Sequence, residues 1–208
     1  MTETVVPAAG RALPATERGR RTRAALVEAA ATLMYERGVA HTSIDDVLAY
    51  CGAGKSQMYH YFATKHDLVC AVIELQYANV VAGQPRLERL ATWRDFDLWA
   101  TAFLARHETS AGPLACRLGR FAAEVDDDPA LRAVLAGAFA AWEAHLAAGV
   151  GRLQRSGQVR ADADPAALAS AVMAAVQGGI LLARVHRDGA PLRRAVEMAM
   201  AHLRAHAL

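Results

Sequence analysis

The sequence predicts an all-α protein, and three observations support this fold class. Apolar residues recur at steps of three and four along most of the chain, the period of a helix buried on one face. Alternating runs of β-branched residues, which would indicate strands, do not occur. Clusters of glycine, proline and aspartate divide the chain into pieces of helical length. With 208 residues, 54% of them hydrophobic, the chain can bury a sizeable core in one or two domains.

The first helix is predicted from about residue 18 to residue 37. The residues of its apolar face are Ala25, Leu26, Ala29, Ala30, Leu33 and Met34. Gly38 ends the helix, because glycine readily adopts the left-handed conformation common at helix ends. Residues 1–17, which contain Pro7, Gly10 and Pro14, are expected to be a disordered basic arm.

Two short helices separated by a glycine turn follow. Thr42 or Ser43 caps the first of them, since a side-chain hydroxyl can accept a hydrogen bond from the first-turn amides. The turn is Gly52-Ala53-Gly54, where glycine can adopt the positive φ that a tight reversal needs. The second short helix is predicted at residues 55–61, so the segment has the pattern of a helix-turn-helix.

The next helix is predicted at residues 65–81. Thr64, followed by Asp67 three positions later, is a capping pattern for its start. Met58 and Phe62, just before it, are expected to anchor the short helix to the core. Of the two tyrosines there, Tyr59 is expected to face outward and Tyr61 to be partly buried.

Five more helices are predicted in the rest of the chain. The break at Gly83-Gln84-Pro85 precedes them, and the Asp128-Pro129 pair is a favourable start for the longest. Their predicted ranges are 93–108, 115–125, 129–155, 165–187 and 191–205. Together with the helix at 65–81, six helices are therefore predicted after the helix-turn-helix.

One of these segments, residues 165–183, is uncharged over 19 residues and approaches the length of a membrane span. It is built mostly from alanine, however, and contains Ser170, Gln177 and the Gly178-Gly179 pair. Such a composition favours a buried helix at a subunit or domain interface, and we expect no membrane association.

Charge is distributed unevenly along the chain. The net charge is +2, too small by itself to argue for nucleic acid. Through His66, however, there are eight lysines and arginines against six acids, and the later residues balance. The clustered arginines are Arg11, Arg18, Arg20, Arg21 and Arg23. A basic arm ahead of a helix-turn-helix is suited to phosphate attraction, although a solvated tail explains Arg11 and Arg18 equally well.

The second short helix carries the side chains that DNA recognition requires. Lys55, Ser56 and Gln57 at its start can face base edges, and the Gln57 amide can bind adenine in bidentate fashion. Those expected to bind phosphates are Tyr59, His60 and Lys65, together with Thr42 or Ser43. A plain solvent-facing position is the alternative for Gln57.

The run from Arg20 to about Ile73 resembles the DNA-binding region of the TetR family of transcriptional regulators. The resemblance rests on "AALVEAAATLMYERGVAHTSIDDV" and "GAGKSQMYHYFATKHDLVCAVI", and most specifically on "YHYF" followed by Lys65. It implies a helix-turn-helix domain at 18–66 and an effector-binding and dimerisation domain at 67–208. Gly54 stands where serine is commoner, Gln57 where a small hydroxyl residue is commoner, and Ala63 where proline is frequent.

The resemblance also implies a homodimer whose last two helices, 165–187 and 191–205, form a four-helix bundle with those of the partner. The sequence supports close helix approach through the small residues of the first. The second offers one apolar face, made of Val196, Ala199, Met200 and Leu203. A monomer with a buried C-terminal hairpin is the alternative.

An effector pocket among the central helices is a further implication. The residues that could line it are Trp99, Phe103, His107, Cys116, Phe121, Trp142 and Gln177. Their aromatic bulk favours an apolar or aromatic small molecule, although ordinary core packing explains each of them singly. We therefore expect a repressor that the effector releases from a palindromic operator, with an activator or dual regulator of the same family as the alternative.

Two other classes of protein fit the sequence less well. The catalytic motifs HExxH and GxSxG are absent, and "GAGKS" at 52–56 lacks the earlier glycine of a phosphate-binding loop, so we expect no enzyme, cofactor or metal. An architectural DNA binder would carry far more positive charge.

Three cysteines without paired spacing indicate a reducing cytoplasm. Cys116, beside Arg117 and Arg120, is either a structural thiol or a sensor whose pKa these cations lower.

Overall fold

The computed structural model of the protein describes residues 14–109 and 115–208, and over these residues the fold is all-α, as predicted. The helices are α1 (Glu17–Arg37), α2 (Ile44–Cys51), α3 (Lys55–Tyr61), α4 (Lys65–Ala82), α5 (Trp93–Thr109), α6 (Pro129–Arg155), α7 (Pro165–His186) and α8 (Ala190–Arg204). Two short 3₁₀ helices, Leu87–Arg89 and Gly119–Ala123, lie between them. The described chain divides into two compact units, one within Met1–Asn79 and Arg120–Ala138, the other within Val80–Gly119 and Phe139–Leu208.

The predicted helix boundaries at glycine and at capping residues are confirmed. Gly38 ends α1 with a φ of 90°. Thr64 and Asp67 cap α4 reciprocally, because each accepts a hydrogen bond from the backbone amide of the other, at 3.0 and 3.1 Å. Asp128 caps α6 by accepting the amides of Ala130 and Leu131, both at 3.0 Å. α1 begins at Glu17, capped by Thr16, and residues 1–13 of the expected arm lie outside the described residues.

Residues 115–125 differ from the prediction of an α-helix. Only the 3₁₀ helix Gly119–Ala123 forms there, since amides within the segment bond to groups three residues back. The Gly119 amide donates to Cys116 Sγ at 3.2 Å, and the Glu124 amide to Phe121 O at 2.9 Å. Apolar periodicity does not distinguish such a turn from a helix. The described C-terminal part therefore has five α-helices rather than six.

The first unit is built on α1, which packs against α2 and α3. Its core joins Leu26 and Leu33 of α1 to Val47 of α2 and Met58 of α3, all at most 2% exposed. Phe62, at the end of α3, is equally buried, as predicted. The apolar side of each short helix thus contributes to this core, and the opposite side is left to solvent.

α7 and α8 pack closely in the second unit. A Cβ atom at Gly179 would lie 3.1 Å from the Leu192 Cα atom and 2.8 Å from the Ala195 Cβ atom, so only glycine permits this approach. The residues predicted as the dimer face of the last helix are all buried within the chain instead: Val196, Ala199, Met200 and Leu203. They face inward because α8 packs on α7 and α5 within the same chain.

Other apolar residues of this helix pair are exposed. They are Leu181, Leu182 and Val185 of α7 and Met198 of α8, with Leu181 61% and Val185 68% exposed. By length and composition, α6 and α7 could each cross a membrane. Buried core helices of soluble proteins share this length and composition.

Candidate nucleic-acid interface

The α2–α3 pair is held by a cap and a left-handed turn. Ser43, rather than Thr42, is the N-cap of α2: its hydroxyl accepts the Asp46 amide at 3.1 Å, and Asp46 accepts the Ser43 amide at 2.8 Å. These bonds lower the pKa of Asp46, chiefly through the Ser43 side chain. Gly52 then adopts the left-handed conformation, with φ at 69°, and α3 begins at Lys55. Both features are encoded locally.

α3 presents a polar face to solvent. Five of its seven residues are exposed: Lys55, Ser56, Gln57, Tyr59 and His60. Met58 is buried on the opposite side and Tyr61 is half-buried, as predicted. The His60 and Tyr61 rings meet edge to face at a centroid distance of 4.8 Å. The face therefore combines an amide, a hydroxyl, a cation and two rings, and groups of these kinds bind base edges and phosphates.

Gln57 has a structural role that the sequence interpretation missed. Its Oε1 atom accepts the Gly54 amide at 2.9 Å, which completes half of a capping box at the start of α3. Gly54 itself has no side chain to supply the other half. A glycine N-cap followed three residues later by glutamine is a recognisable signal for this arrangement. The amide oxygen that would accept from adenine thus already holds the helix start.

Lys55 is also engaged locally. Its ammonium group lies 3.0 Å from Asp45 Oδ1 of α2, and this hydrogen bond raises the pKa of Lys55. Both side chains are well exposed, so the pair itself contributes little to stability. It does set the position of the lysine beside α3, and a phosphate would have to compete with Asp45 for it.

Two of the predicted phosphate contacts are directed into the protein. Thr42 is 1% exposed, and its hydroxyl donates to Gly38 O at 2.8 Å. Ser43 is therefore the better candidate of the pair. The Lys65 ammonium donates to Val39 O at 2.6 Å, although the side chain stays half-exposed. Sequence could not reveal either bond, because each depends on the path of the loop between α1 and α2.

The basic cluster at the start of α1 is partly neutralised. Arg20 and Arg21 both pair with Glu17, at 2.9 and 3.0 Å. The Arg23 guanidinium lies over the Phe62 ring, 5.1 Å from its centroid. Arg18 is exposed, and Arg11 lies outside the described residues.

Comparison with known proteins identifies this arrangement. Residues 26–72 match the model of bacterial regulatory proteins of the tetR family, and residues 96–199 match a tetracyclin repressor-like C-terminal domain. The transcriptional regulator AcuR of Cereibacter sphaeroides is 32% identical over 173 residues, which cover 80% of this chain and 78% of that protein. The chain belongs to the TetR family.

Two further proteins extend the comparison. The HTH-type transcriptional repressor DhaR of a Mycobacterium species is 26% identical over 177 residues, covering 80% of this chain and 84% of that protein. A TetR-family regulator of Cytophaga hutchinsonii superposes with a TM-score of 0.79 at 21% identity, over 94% of this chain and 99% of that one. This protein is accordingly a DNA-binding transcriptional regulator.

Six of the seven predicted effector-pocket residues of this TetR-family chain lie in the second unit; Phe121 is buried in the first. Trp99, Phe103 and His107 form a ladder along α5, with ring centroids 5.7 and 4.3 Å apart. The Trp99 indole donates to Gln84 Oε1 at 2.9 Å. Trp142 is also buried, but its Nε1 atom has no hydrogen-bond partner among the described residues.

Burial shifts the pKa values of His107 and Cys116 in opposite directions. His107 Nδ1 lies 2.8 Å from Phe103 O, and burial lowers the pKa of His107. Burial raises the pKa of the Cys116 thiol, against the lowering by nearby arginines that a sensor would need. Gln177 and the Gly119 amide hydrogen-bond to Cys116 and oppose this shift in part. Of the two alternatives for Cys116, this shift favours a structural thiol. No group of metal-ligating side chains occurs among the described residues.

Proposed function

We propose that this protein is a ligand-responsive repressor that binds a palindromic operator as a homodimer. The exposed polar face of α3, opposite a buried Met58, is the observation that carries the DNA-reading half of the proposal. Gln57 reads a base, and Lys55, Tyr59 and His60 bind phosphates, with Ser43 at the amide end of α2. The kinship with the repressor DhaR favours repression over activation.

The dimer would form through the exposed apolar residues of α7 and α8. Leu181, Leu182, Val185 and Met198 are the large apolar side chains that this helix pair leaves exposed within one chain. A second copy would bury them in a four-helix bundle, in place of the inward-facing residues of α8 that the sequence predicted. TetR-family proteins bind operators as dimers in the bacterial cytoplasm, and we assign the same location here.

A selected-oligonucleotide binding assay with the full chain tests the operator proposal. The expected result is a palindrome whose half-sites lie roughly 34–36 Å apart, or a near variant of that spacing. Steep salt dependence without any sequence preference would instead favour an architectural protein. A reporter fused to the selected site then separates repression from activation.

The effector would be a neutral aromatic molecule. Because a carbonyl oxygen only accepts, the Phe103 contact requires the proton of His107 on Nδ1, which leaves Nε2 as an acceptor. Trp142 Nε1 is a buried donor without a partner among the described residues. The ladder of α5 suits an aromatic ring, and the two polar atoms suit a molecule with one donor and one acceptor, such as a phenol carrying a carbonyl.

The change Trp142→Phe tests this assignment. It removes the unpaired donor together with part of the buried indole, so the ligand-free protein should lose some thermal stability to the cavity but no hydrogen bond. Hydroxyaromatic carbonyl compounds that stabilise the native protein should bind the variant roughly tenfold more weakly, as measured by thermal shift and operator release. The matched change Trp99→Phe leaves a similar cavity and also breaks the bond to Gln84, so it should destabilise the ligand-free protein more. Equal binding by native protein and Trp142→Phe would contradict the proposed contact.

A further inference from the structure

A segment from the middle of the chain belongs to the DNA-binding unit. Arg120–Ala138 lies with α1, α2 and α3, although about 40 residues separate it in sequence from the first part of that unit. Two of its carboxylates, Glu124 and Asp128, contact the elements that flank the helix-turn-helix. Neither is accounted for by DNA contact, since phosphates repel carboxylates.

Glu124 meets the loop between α1 and α2. Its Oε2 atom accepts the Val39 amide, while Val39 O accepts the Lys65 ammonium at 2.6 Å. Both backbone polar groups of a buried residue are thus bonded to charged side chains from distant parts of the chain. Hydrogen bonds to charged groups are stronger than neutral ones and fix the loop accordingly. Thr42, which donates to Gly38 O, ties the same loop to its own start.

Glu124 is itself held in place. Arg120 Nε lies 3.7 Å from Glu124 Oε1, and the Arg120 guanidinium stands over the Tyr35 ring of α1, 5.2 Å from its centroid. Both charged side chains are mostly buried, at 26% and 23% exposed, so solvent screens the pair less than a surface pair. The carboxylate therefore reaches Val39 from a position that α1 supports.

Asp128 makes the parallel contact to α4. Its Oδ2 atom lies 3.1 Å from His66 Nδ1, and its Oδ1 atom caps α6. His66 directly follows Lys65, so the two contacts hold adjacent residues at the start of α4. Along the chain, α3 follows the Val39 loop and α2 and precedes the start of α4.

We propose that Glu124 is a positioning residue for operator binding, which acts through Val39 and Lys65 to set the orientation of α2 and α3. Asp128 assists through His66. This inference rests on the proposed operator recognition by α3. In this proposal the main role of Lys65 is to hold the Val39 loop, and contact with a phosphate is secondary. Glu124, an acidic residue that contacts no base, is then needed for full operator affinity.

The test compares Glu124→Ala, Glu124→Gln and Glu36→Ala in the full chain. Glu36 lies exposed in the last turn of α1, so its removal deletes the same charge near the same loop. If charge alone mattered, both alanine variants would bind DNA more tightly. We expect Glu124→Ala to bind the selected operator about tenfold more weakly, with nonspecific DNA binding unchanged. Glu124→Gln, which keeps an acceptor for the Val39 amide, should regain most of the affinity, and Glu36→Ala should lose none.

Affinity is measured well below the melting temperature, where circular dichroism verifies that each variant is folded. Native operator affinity in Glu124→Ala would overturn the proposal, as would equal losses in Glu124→Ala and Glu124→Gln. If Glu124→Ala does not fold, Arg120→Lys replaces it, since it keeps the charge but loses the planar group over Tyr35. That variant should bind about threefold more weakly, and unchanged affinity would overturn the proposal. A native protein that selects no sequence would contradict the proposed function instead.

Discussion

α3 and α7 both leave a face uncovered in the single chain, and the two faces differ in chemistry. On α3 the exposed side chains are polar or charged, with Tyr59 as the large ring, whereas α7 exposes Leu181, Leu182 and Val185. Water solvates the first face at little cost, but the second remains an unfavourable apolar surface until something covers it. The difference supports the two proposed partners: a polyanion that exchanges reversibly on α3, and a second copy of the chain on α7.

The largest effect should come from the apolar face. Leu181→Arg combined with Val185→Arg places two charges one helical turn apart on α7, which should prevent dimerisation. A monomer binds one half-site only, so operator affinity should fall about 100-fold or more. Sedimentation and operator titration measure the two effects together. Leu208→Arg, the same change at an exposed C-terminal leucine, serves as the control. A dimer that persists in the double variant would remove α7 from the interface.

An intermediate effect should come from Gln57. Gln57→Glu keeps an acceptor for the Gly54 amide, so the helix start and the melting temperature should be retained. It cannot donate to a base, however, and preference at one base pair of each half-site should fall by about 1–3 kcal/mol. Gln57→Ala should lose both the preference and some stability. If base preference in Gln57→Glu stays native, the residue serves only as a cap.

The smallest effect should come from the Lys55–Asp45 pair. Lys55→Ala should weaken all DNA sites by a similar few-fold factor and reduce the salt slope by about one per subunit. Asp45→Asn should act in the opposite direction, since it releases the ammonium from its partner at 3.0 Å. Titrations at several salt concentrations check both changes. Equal affinity of the native protein and Asp45→Asn would show that the pair does not compete with phosphate.

Much of the DNA-binding unit was predictable because its signals are local. The Gly38 and Gly52 conformations and the Thr64–Asp67 cap each depend on residues at most four positions apart. The outward position of Tyr59 and His60 follows from a buried Met58 on a helix of known period. Such features require no knowledge of the remaining chain.

Other points were left open or wrongly predicted, because a distant element decides the outcome. For Cys116 the sequence allowed a structural thiol or a sensor, and burial, which raises the pKa of its thiol, favours the structural thiol. Val196 and Leu203 form an apolar stripe that could face any partner, and α7 of the same chain covers it. Thr42 and Ser43 are equally good N-cap candidates by sequence. The path of the loop, however, buries the hydroxyl of Thr42 and leaves that of Ser43 exposed.

The sequence alone determined the all-α class, the helix-turn-helix and the polar composition of α3, because helix periodicity and capping act over a few residues. Only the tertiary structure decided which apolar faces meet within the chain and which stay exposed. It also decided that Glu124 bonds the Val39 amide 85 residues away. Burial and long-range hydrogen bonds depend on which elements come together, and no local pattern encodes that.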